Sequence, residues 1–226
     1  MNVQNRSAGE KEIYDEIRKA IAERRLLPGT KLTEETLAKL FNLSRARVRK
    51  VLLILSKERM VTLKPNKGAY VWQPTEVEAR KILDARRLLE IYLVELAATS
   101  ATTRQLAELR KIVEEEKHAL ARNDRAAVMR LSGSFHIALA KCGDNYILQD
   151  FLQGLILQTY LILATFERRH STCPQSDHTD ILARVAAKDA KGAVEILTRH
   201  FDHIEADLDL VDHGQPVTDL SEILGR

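Results

Sequence analysis

The fold is decided by residues 33–52, which read Thr33-Glu-Glu-Thr-Leu-Ala-Lys-Leu-Phe-Asn-Leu-Ser44-Arg-Ala-Arg-Val-Arg-Lys-Val-Leu52. Thr33 is placed to cap a first short helix carrying Leu37, Leu40 and Phe41, and Ser44 to cap a second. On the second, Val48, Val51, Leu52 and Leu55 recur at i, i+3, i+4 and i+7, which is one apolar face. Arg45 and Arg49 lie a turn apart on the other side, flanked by Arg47 and Lys50. A folding core does not need four cations in two turns. A helix N-terminus already favours anions, so these side chains build a surface suited to phosphates and to the acceptor edge of guanine. A charge run alone is ordinarily a solvated helix face. Here it is followed by Met60-Val-Thr-Leu-Lys-Pro-Asn-Lys-Gly-Ala-Tyr-Val-Trp72, two β-rich runs (Val61 to Leu63, Ala69 to Trp72) joined by the turn formers Pro65-Asn66-Lys67-Gly68. A basic hairpin directly after a basic helix reads as a wing.

Upstream, Ile13, Ile17, Ala20 and Ile21 mark an amphipathic helix from Glu10 to Arg25, stopped by Leu27-Pro28-Gly29. The amino-terminal domain, residues 1–74, is therefore expected to hold three helices and a two-stranded wing. It carries sixteen Lys/Arg against eight Asp/Glu, whereas residues 75–226 carry nineteen against twenty-four, so +8 and −5 make up the net +3. Such asymmetry is expected when one part of a chain meets a polyanion and the other does not. Gln73-Pro74 alone separates the wing from the next helix, too short a tether to absorb movement between the two parts.

Downstream the pattern is helical throughout. Thr75-x-x-Glu78 opens a helix to about Ser100, Thr102-x-x-Gln105 a second to about Arg122, and Asn123-Asp124 a third to about Cys142. An apolar helix from Ile147 to Arg168, a loop around Pro174, and helices over 176–188 and 189–210 follow. The fold class is mainly α, with a winged helix-turn-helix followed by an all-helical antiparallel bundle. Residues 75–213 are read as an effector-binding and dimerisation domain and residues 214–226 as a mobile tail. Cys142 and Cys173 make no disulfide framework. The polar start, with Asn2, Gln4 and Arg6, is unlike a signal peptide, and Gln153, Gln158 and Thr159 interrupt the longest apolar run before the roughly 18 residues of a membrane span. A cytoplasmic location without membrane partners is expected.

Two sets of residues resemble a known family. Pro28-Gly29-x-x-Leu32-x-Glu34-x-x-Leu37-Ala38-x-x-Phe41-x-Leu43-Ser44-Arg45-x-x-Val48-Arg49, with Asn66-x-Gly68-x-Tyr70-Val71, resembles the winged helix of the GntR superfamily of bacterial transcription regulators. Arg86-x-x-x-Glu90, Phe135-His136, Asn145, His178 and His200 are similar to the helical effector domain, FCD, of its FadR-like branch. The resemblance implies a homodimer that binds a short palindromic duplex operator as a repressor or activator and answers to a small metabolite. It implies operator contacts from Ser44, Arg45 and Arg49 and a wing tip at Gly68 close to the minor groove, with Arg47, Lys50 and Lys67 as further cations of that surface. Where the family often has Thr-Pro, this chain has Ala46-Arg47.

The same resemblance implies a metal held by three histidines and an Asp four residues before the first. The histidines stand at 136, 178 and 200, and the Asp position is Ser132. Three neutral imidazoles from three helices suit zinc or nickel, with open positions for a carboxylate effector. Two other readings remain: each ring is only hydrogen-bonded in the core, or His136, His178, His200 and Arg86 bind an anion directly. Arg86, Ser132, Asn145 and the three histidines are the candidate effector residues. His118, His170, His203 and His213 read as surface residues, with His203 also able to border the cavity. Besides a ligand-responsive regulator, the three-histidine site allows a metalloenzyme with an appended DNA-binding domain, although no HExxH or phosphate-loop pattern accompanies it.

Overall fold

The computed structural model describes residues 8–167 and 176–209. The expected tail and the loop carrying Pro174, with Cys173, His170 and His213, lie outside them. The described chain divides into two compact units: one takes the residues up to Thr75 together with Tyr160–Thr165, the other Glu76–Thr159 and the residues from Phe166 onward.

In the first unit, α1 (Ala8–Ala22), β1 (Lys31–Leu32), α2 (Glu34–Leu40), α3 (Arg45–Lys57), β2 (Val61–Lys64) and β3 (Gly68–Val71) follow in order. Thr33 caps α2 by accepting from Thr36 N–H, and Ser44 caps α3 by accepting from Arg47 N–H at 3.4 Å. The caps hold because each satisfies a helix-end donor that has no intrahelical partner. Val48, Val51, Leu52 and Leu55 form the buried face of α3 and meet Ile13, Ile17, Ile21 and Leu37 in one core. The expected two-stranded wing is a three-stranded antiparallel sheet in the order β1-β3-β2. Lys31 pairs with Tyr70 and Leu32 with Ala69, so the chain entering α2 is stitched to the wing. Asn66 and Gly68 adopt left-handed backbone, φ 57° and 94°, which turns β2 into β3. A Cβ on Gly68 would meet only Lys31 Cε at 4.0 Å, so its positive φ rather than crowding favours glycine.

The second unit contains α4 (Glu76–Ser100), α5 (Thr103–Ala121), α6 (Arg125–Cys142), α7 (Tyr146–Phe166) apart from its stretch Tyr160–Thr165, α8 (Ser176–Ala186) and α9 (Ala190–Ala206). Thr102 and Gln105 form a reciprocal capping box, and Asp124 and Asp189 cap α6 and α9. Helix α4 is the centre of this unit, packing on α6, α8 and α9, while α5 packs on α6 and α8. Phe135 and Phe201 are fully buried. Among the described residues an isolated bridge, Glu167 to Leu208, departs from helix and is extended by Asp209 N–H to Phe166 C=O at 2.7 Å. It joins the ends of α7 and α9. The glutamines of α7 do not interrupt it: its 21 residues, at mean hydropathy 1.4 over the best window, are long and apolar enough to cross a membrane. Leu152, Ile156, Leu161, Ile162 and Phe166 are nonetheless buried.

Leu55 is 0% exposed at the meeting of α3 with its neighbours. Leu55→Ala should cost about 2 to 5 kcal/mol of stability, read by chemical denaturation, because a closed core leaves part of the cavity unfilled.

Candidate functional site

Two sites emerge, one in each unit. In the first, α3 lays out its cations as the sequence spacing requires, and each is met by a carboxylate. Arg49 forms a two-pronged bond with Glu34, Nε to Oε1 at 2.8 Å and Nη2 to Oε2 at 2.9 Å. Arg45 Nη2 lies 3.1 Å from Glu35. Both arginines remain largely exposed. Arg47 and Lys50 are different. They reach back to Glu10 on α1, at 3.5 and 2.9 Å, and the Glu10 side chain is only 6% exposed. The structure thus separates the four cations grouped together in the sequence: Arg45 and Arg49 face out beside α2, and Arg47 and Lys50 tie the recognition helix to α1. Pro65, Asn66, Lys67 and Gly68 form an exposed wing tip, steadied by Tyr70 Oη–H donating to Lys67 C=O at 3.3 Å. Ser44 is committed to its cap.

In the second unit, His136 (α6), His178 (α8) and His200 (α9) converge, 1%, 4% and 1% exposed, with one ring nitrogen from each lying within 4.8 Å of the others. Each ring is held from behind. His136 Nδ1–H donates to Glu90 on α4, His178 Nδ1–H to Glu116 on α5 at 2.7 Å, and His200 Nδ1–H to Asp177 at 3.4 Å. A carboxylate only accepts, so the proton of each neutral ring sits on Nδ1 and the Nε2 lone pair points away from it. His136 Nε2 and His178 Nε2 are 3.3 Å apart. That spacing is satisfied by a proton shared between the two nitrogens or by a metal cation held between them. His178 also stacks on Phe135, centroids 4.5 Å apart, which fixes its plane.

The charges behind the rings are buried too. Glu90 also binds Arg86, one turn earlier on α4, and the Arg86 guanidinium lies 5.3 Å over the Phe201 ring. Asp177 takes a further bond from His203 Nδ1–H at 3.0 Å and an approach from Arg199 at 3.5 Å. Burial alone would raise the Glu90 carboxyl, but Arg86 and His136 outweigh it and hold it at about 2. Burial opposes ionisation of Asp177 as well, and the bonds from His200 and His203 bring it to about 2. Burial pushes His136 down to about 4 and His200 down to about 3, despite their carboxylate partners.

Among the residues named from the sequence, the three histidines and Arg86 thus come together, Arg86 through Glu90. Ser132 is half-buried one turn before His136. Asn145 caps α7, its side-chain oxygen accepting Leu148 N–H at 3.2 Å. His203 is a partner of a buried carboxylate rather than a simple surface residue. Sequence reasoning passed over Glu90, Glu116 and Asp177 as site residues. The signal for Glu90 lies in α4, where Arg86 and Glu90 interrupt a buried stripe of Ala79, Ile82, Leu83, Leu93, Val94 and Ala97. A separate open depression of about 800 Å³, lined by Asp180, Arg184, Asp189, Lys191, Glu195 and Arg199 among others, includes none of the three histidines.

The pH dependence follows in sign. In the unfolded chain His136 and His200 take up protons near 6.5, while the folded centre refuses them until about 4 and 3. The unfolded state therefore binds more protons below 6.5, and stability falls as pH drops from 6.5 towards 4. Urea denaturation at stepped pH should show this loss, and His136→Gln should reduce its slope.

Comparisons with known proteins agree with this geometry. The bacterial regulatory proteins of the gntR family match residues 10–71, and the FCD domain matches residues 81–203. The Uxu operon regulator of Haemophilus influenzae is 30% identical over 202 residues, covering 80% of this chain and 74% of that protein. The HTH-type transcriptional repressor RspR of Escherichia coli is 24% identical, covering 85% and 86%. The gluconate operon transcriptional repressor of Bacillus subtilis is 26% identical, covering 88% and 84%. The solved structure of E. coli McbR/YncC superposes with a TM-score of 0.79 at 21% identity, over 88% of this chain and 96% of that one, a likeness of fold. With a DNA-reading winged helix joined to an FCD domain, the chain belongs to the GntR family of bacterial regulatory proteins and is a DNA-binding transcription regulator.

Proposed function

We propose that the chain is a cytoplasmic repressor that grips a palindromic operator as a homodimer, and that a small anionic or polar metabolite, bound at a divalent-metal centre on His136, His178 and His200, modulates that grip. The observation that carries the metal reading is the mutual approach of Nε2 lone pairs whose tautomers are fixed by carboxylates. Zinc–nitrogen bonds of about 2.0–2.1 Å at a tetrahedral angle set neighbouring nitrogens about 3.3 Å apart. His136 and His178 stand at 3.3 Å. The buried carboxylates of Glu90, Glu116 and Asp177 face one buried guanidinium, Arg86, so a divalent cation also offsets a buried excess of negative charge. Zinc or nickel fits the nitrogen set. When bound, the metal supplies positive charge and an open coordination position for an effector carboxylate. Ser132 favours that openness, since a hydroxyl is a weaker ligand than the carboxylate expected there. The relative named for a gluconate operon, and so for a carboxylate's operon, is in keeping with an anionic effector.

On the DNA side, Arg45 and Arg49 read the major groove, Ser44 lies near phosphate, and Lys67 and Gly68 bring the wing to the minor groove. Two half-sites about one helical turn apart match a two-fold protein. Leu88 and Tyr92, one turn apart on α4 and 73% and 49% exposed, offer an apolar surface for the subunit contact.

Native mass spectrometry of the purified chain should find close to one divalent ion per chain. Added zinc should raise the melting temperature of the wild type but not of the His178→Ala, His200→Ala double variant; no retained ion and no shift in the wild type would refute the centre. Footprinting should find a two-fold site. Arg49→Ala should lose about 1 to 3 kcal/mol of specific affinity, and Lys67→Ala should weaken all sequences alike.

A further inference from the structure

A carboxylate beside a DNA-reading surface is a liability, because it repels the phosphates that the surface must approach. Glu34 stands in that position, and its geometry shows what it does there. It is the first residue of α2, its backbone fixed by the Thr33 cap, where Thr36 N–H donates to Thr33 Oγ1 at 3.3 Å and Thr33 Oγ–H to Thr36 Oγ1 at 2.6 Å. Leu37 packs α2 onto α3 and is 0% exposed, so the spacing between Glu34 and Arg49 is set by the core. Across that fixed spacing the two side chains make a parallel two-bond fork, 2.8 and 2.9 Å, with Arg49 74% exposed and Glu34 30% exposed.

The fork uses Nε–H and one Nη2–H of the guanidinium. Three donors remain, and two of them, the second Nη2–H and one Nη1–H, lie in parallel along the adjacent edge of the same planar group. An edge of two parallel donors is what grips O6 and N7 of guanine. Arg49 can therefore be held by Glu34 and by a base at the same time. Arg45 lacks this arrangement: one nitrogen meets Glu35 at 3.1 Å, Glu35 is shared with Lys39 at 3.1 Å, and both side chains of the Arg45–Glu35 pair are more than half exposed.

We propose that Glu34 is a positioning residue for base reading, holding the Nε side of Arg49 so that its Nη edge meets guanine with its orientation already set. This rests on Arg49 being a base-contacting residue. Glu34 lowers affinity for DNA in general through its charge and raises selectivity through Arg49. The two effects have opposite signs on different duplexes, which separates positioning from simple restraint.

The test uses the full chain and a library of duplexes with randomised half-sites, which defines the preferred duplex for each variant. Glu34→Gln keeps the size of the side chain but turns an amide N–H₂ towards the guanidinium, so the fork is lost. For the preferred duplex its affinity should fall about tenfold, as for loss of a well-oriented base contact, with the base preference at that position relaxed. Affinity for an unrelated duplex should be unchanged or higher. Glu34→Gln in an Arg49→Ala background should add little, since the two residues act as one unit. Tighter binding of Glu34→Gln to every duplex with an unaltered base preference would overturn the proposal, leaving Glu34 as a restraint on Arg49. Arg49→Ala with unchanged base preference would overturn both the proposal and the reading of Arg49 beneath it. Arg49→Ala changing the preference while Glu34→Gln does not would overturn the proposal alone. A melting temperature for Glu34→Gln close to wild type is expected, and a fall of many degrees would assign Glu34 to the fold instead.

Discussion

Carboxylates placed behind imidazoles determine most of what the helical unit can do. Glu90, Glu116 and Asp177 each accept from an Nδ1–H, and that one constraint fixes the tautomer, the ring orientation and the inward direction of the Nε2 atoms of His136, His178 and His200. Without it, each ring could turn and satisfy itself elsewhere in the core. The carboxylates are ionic and buried, which is costly unless they are matched. Arg86 matches part of the charge, and it does so from α4, the helix that touches α6, α8 and α9. Packing of the unit and chemistry of its centre are therefore the same arrangement seen at two scales.

The amino-terminal unit uses a similar device on its surface. Glu34, Glu35 and Glu10 each meet cations of α3, but their burial differs, from a Glu35 side chain 56% exposed to a Glu10 side chain 6% exposed. Exposed pairs contribute little to stability. The pair of bonds on Glu10 is of the other kind, since both are made to a carboxylate that the fold has taken out of water.

Residues whose roles are local were legible in the sequence. Thr33, Ser44, Thr102 and Asp124 cap their helices as their spacing to the first turn indicates, and the apolar period of α3 gave its buried face. Pairing across the chain was not. β1 is two residues long, too short to show a period, and exists because Tyr70 and Ala69 of β3 stand beside it. Glu116 and Asp177 look like ordinary solvated helix charges until the fold buries them, and only the fold gives each an imidazole. The position of Asn145, just before a helix, suits the cap that it makes. The three histidines were legible as a set by resemblance; their Nδ1 partners required coordinates.

The bonds from Arg47 and Lys50 to Glu10 bear on modularity. Residues 44–50 form a short cassette, the cap and the first turns of α3. In this chain two of the seven residues of that cassette have their counter-charge on α1, some forty positions away. Grafted alone onto a scaffold lacking an acidic residue at that place, the segment would bring two cations with no anchor, free to wander over the phosphate backbone. The charge pairing of α3 thus extends to the first turn of α1.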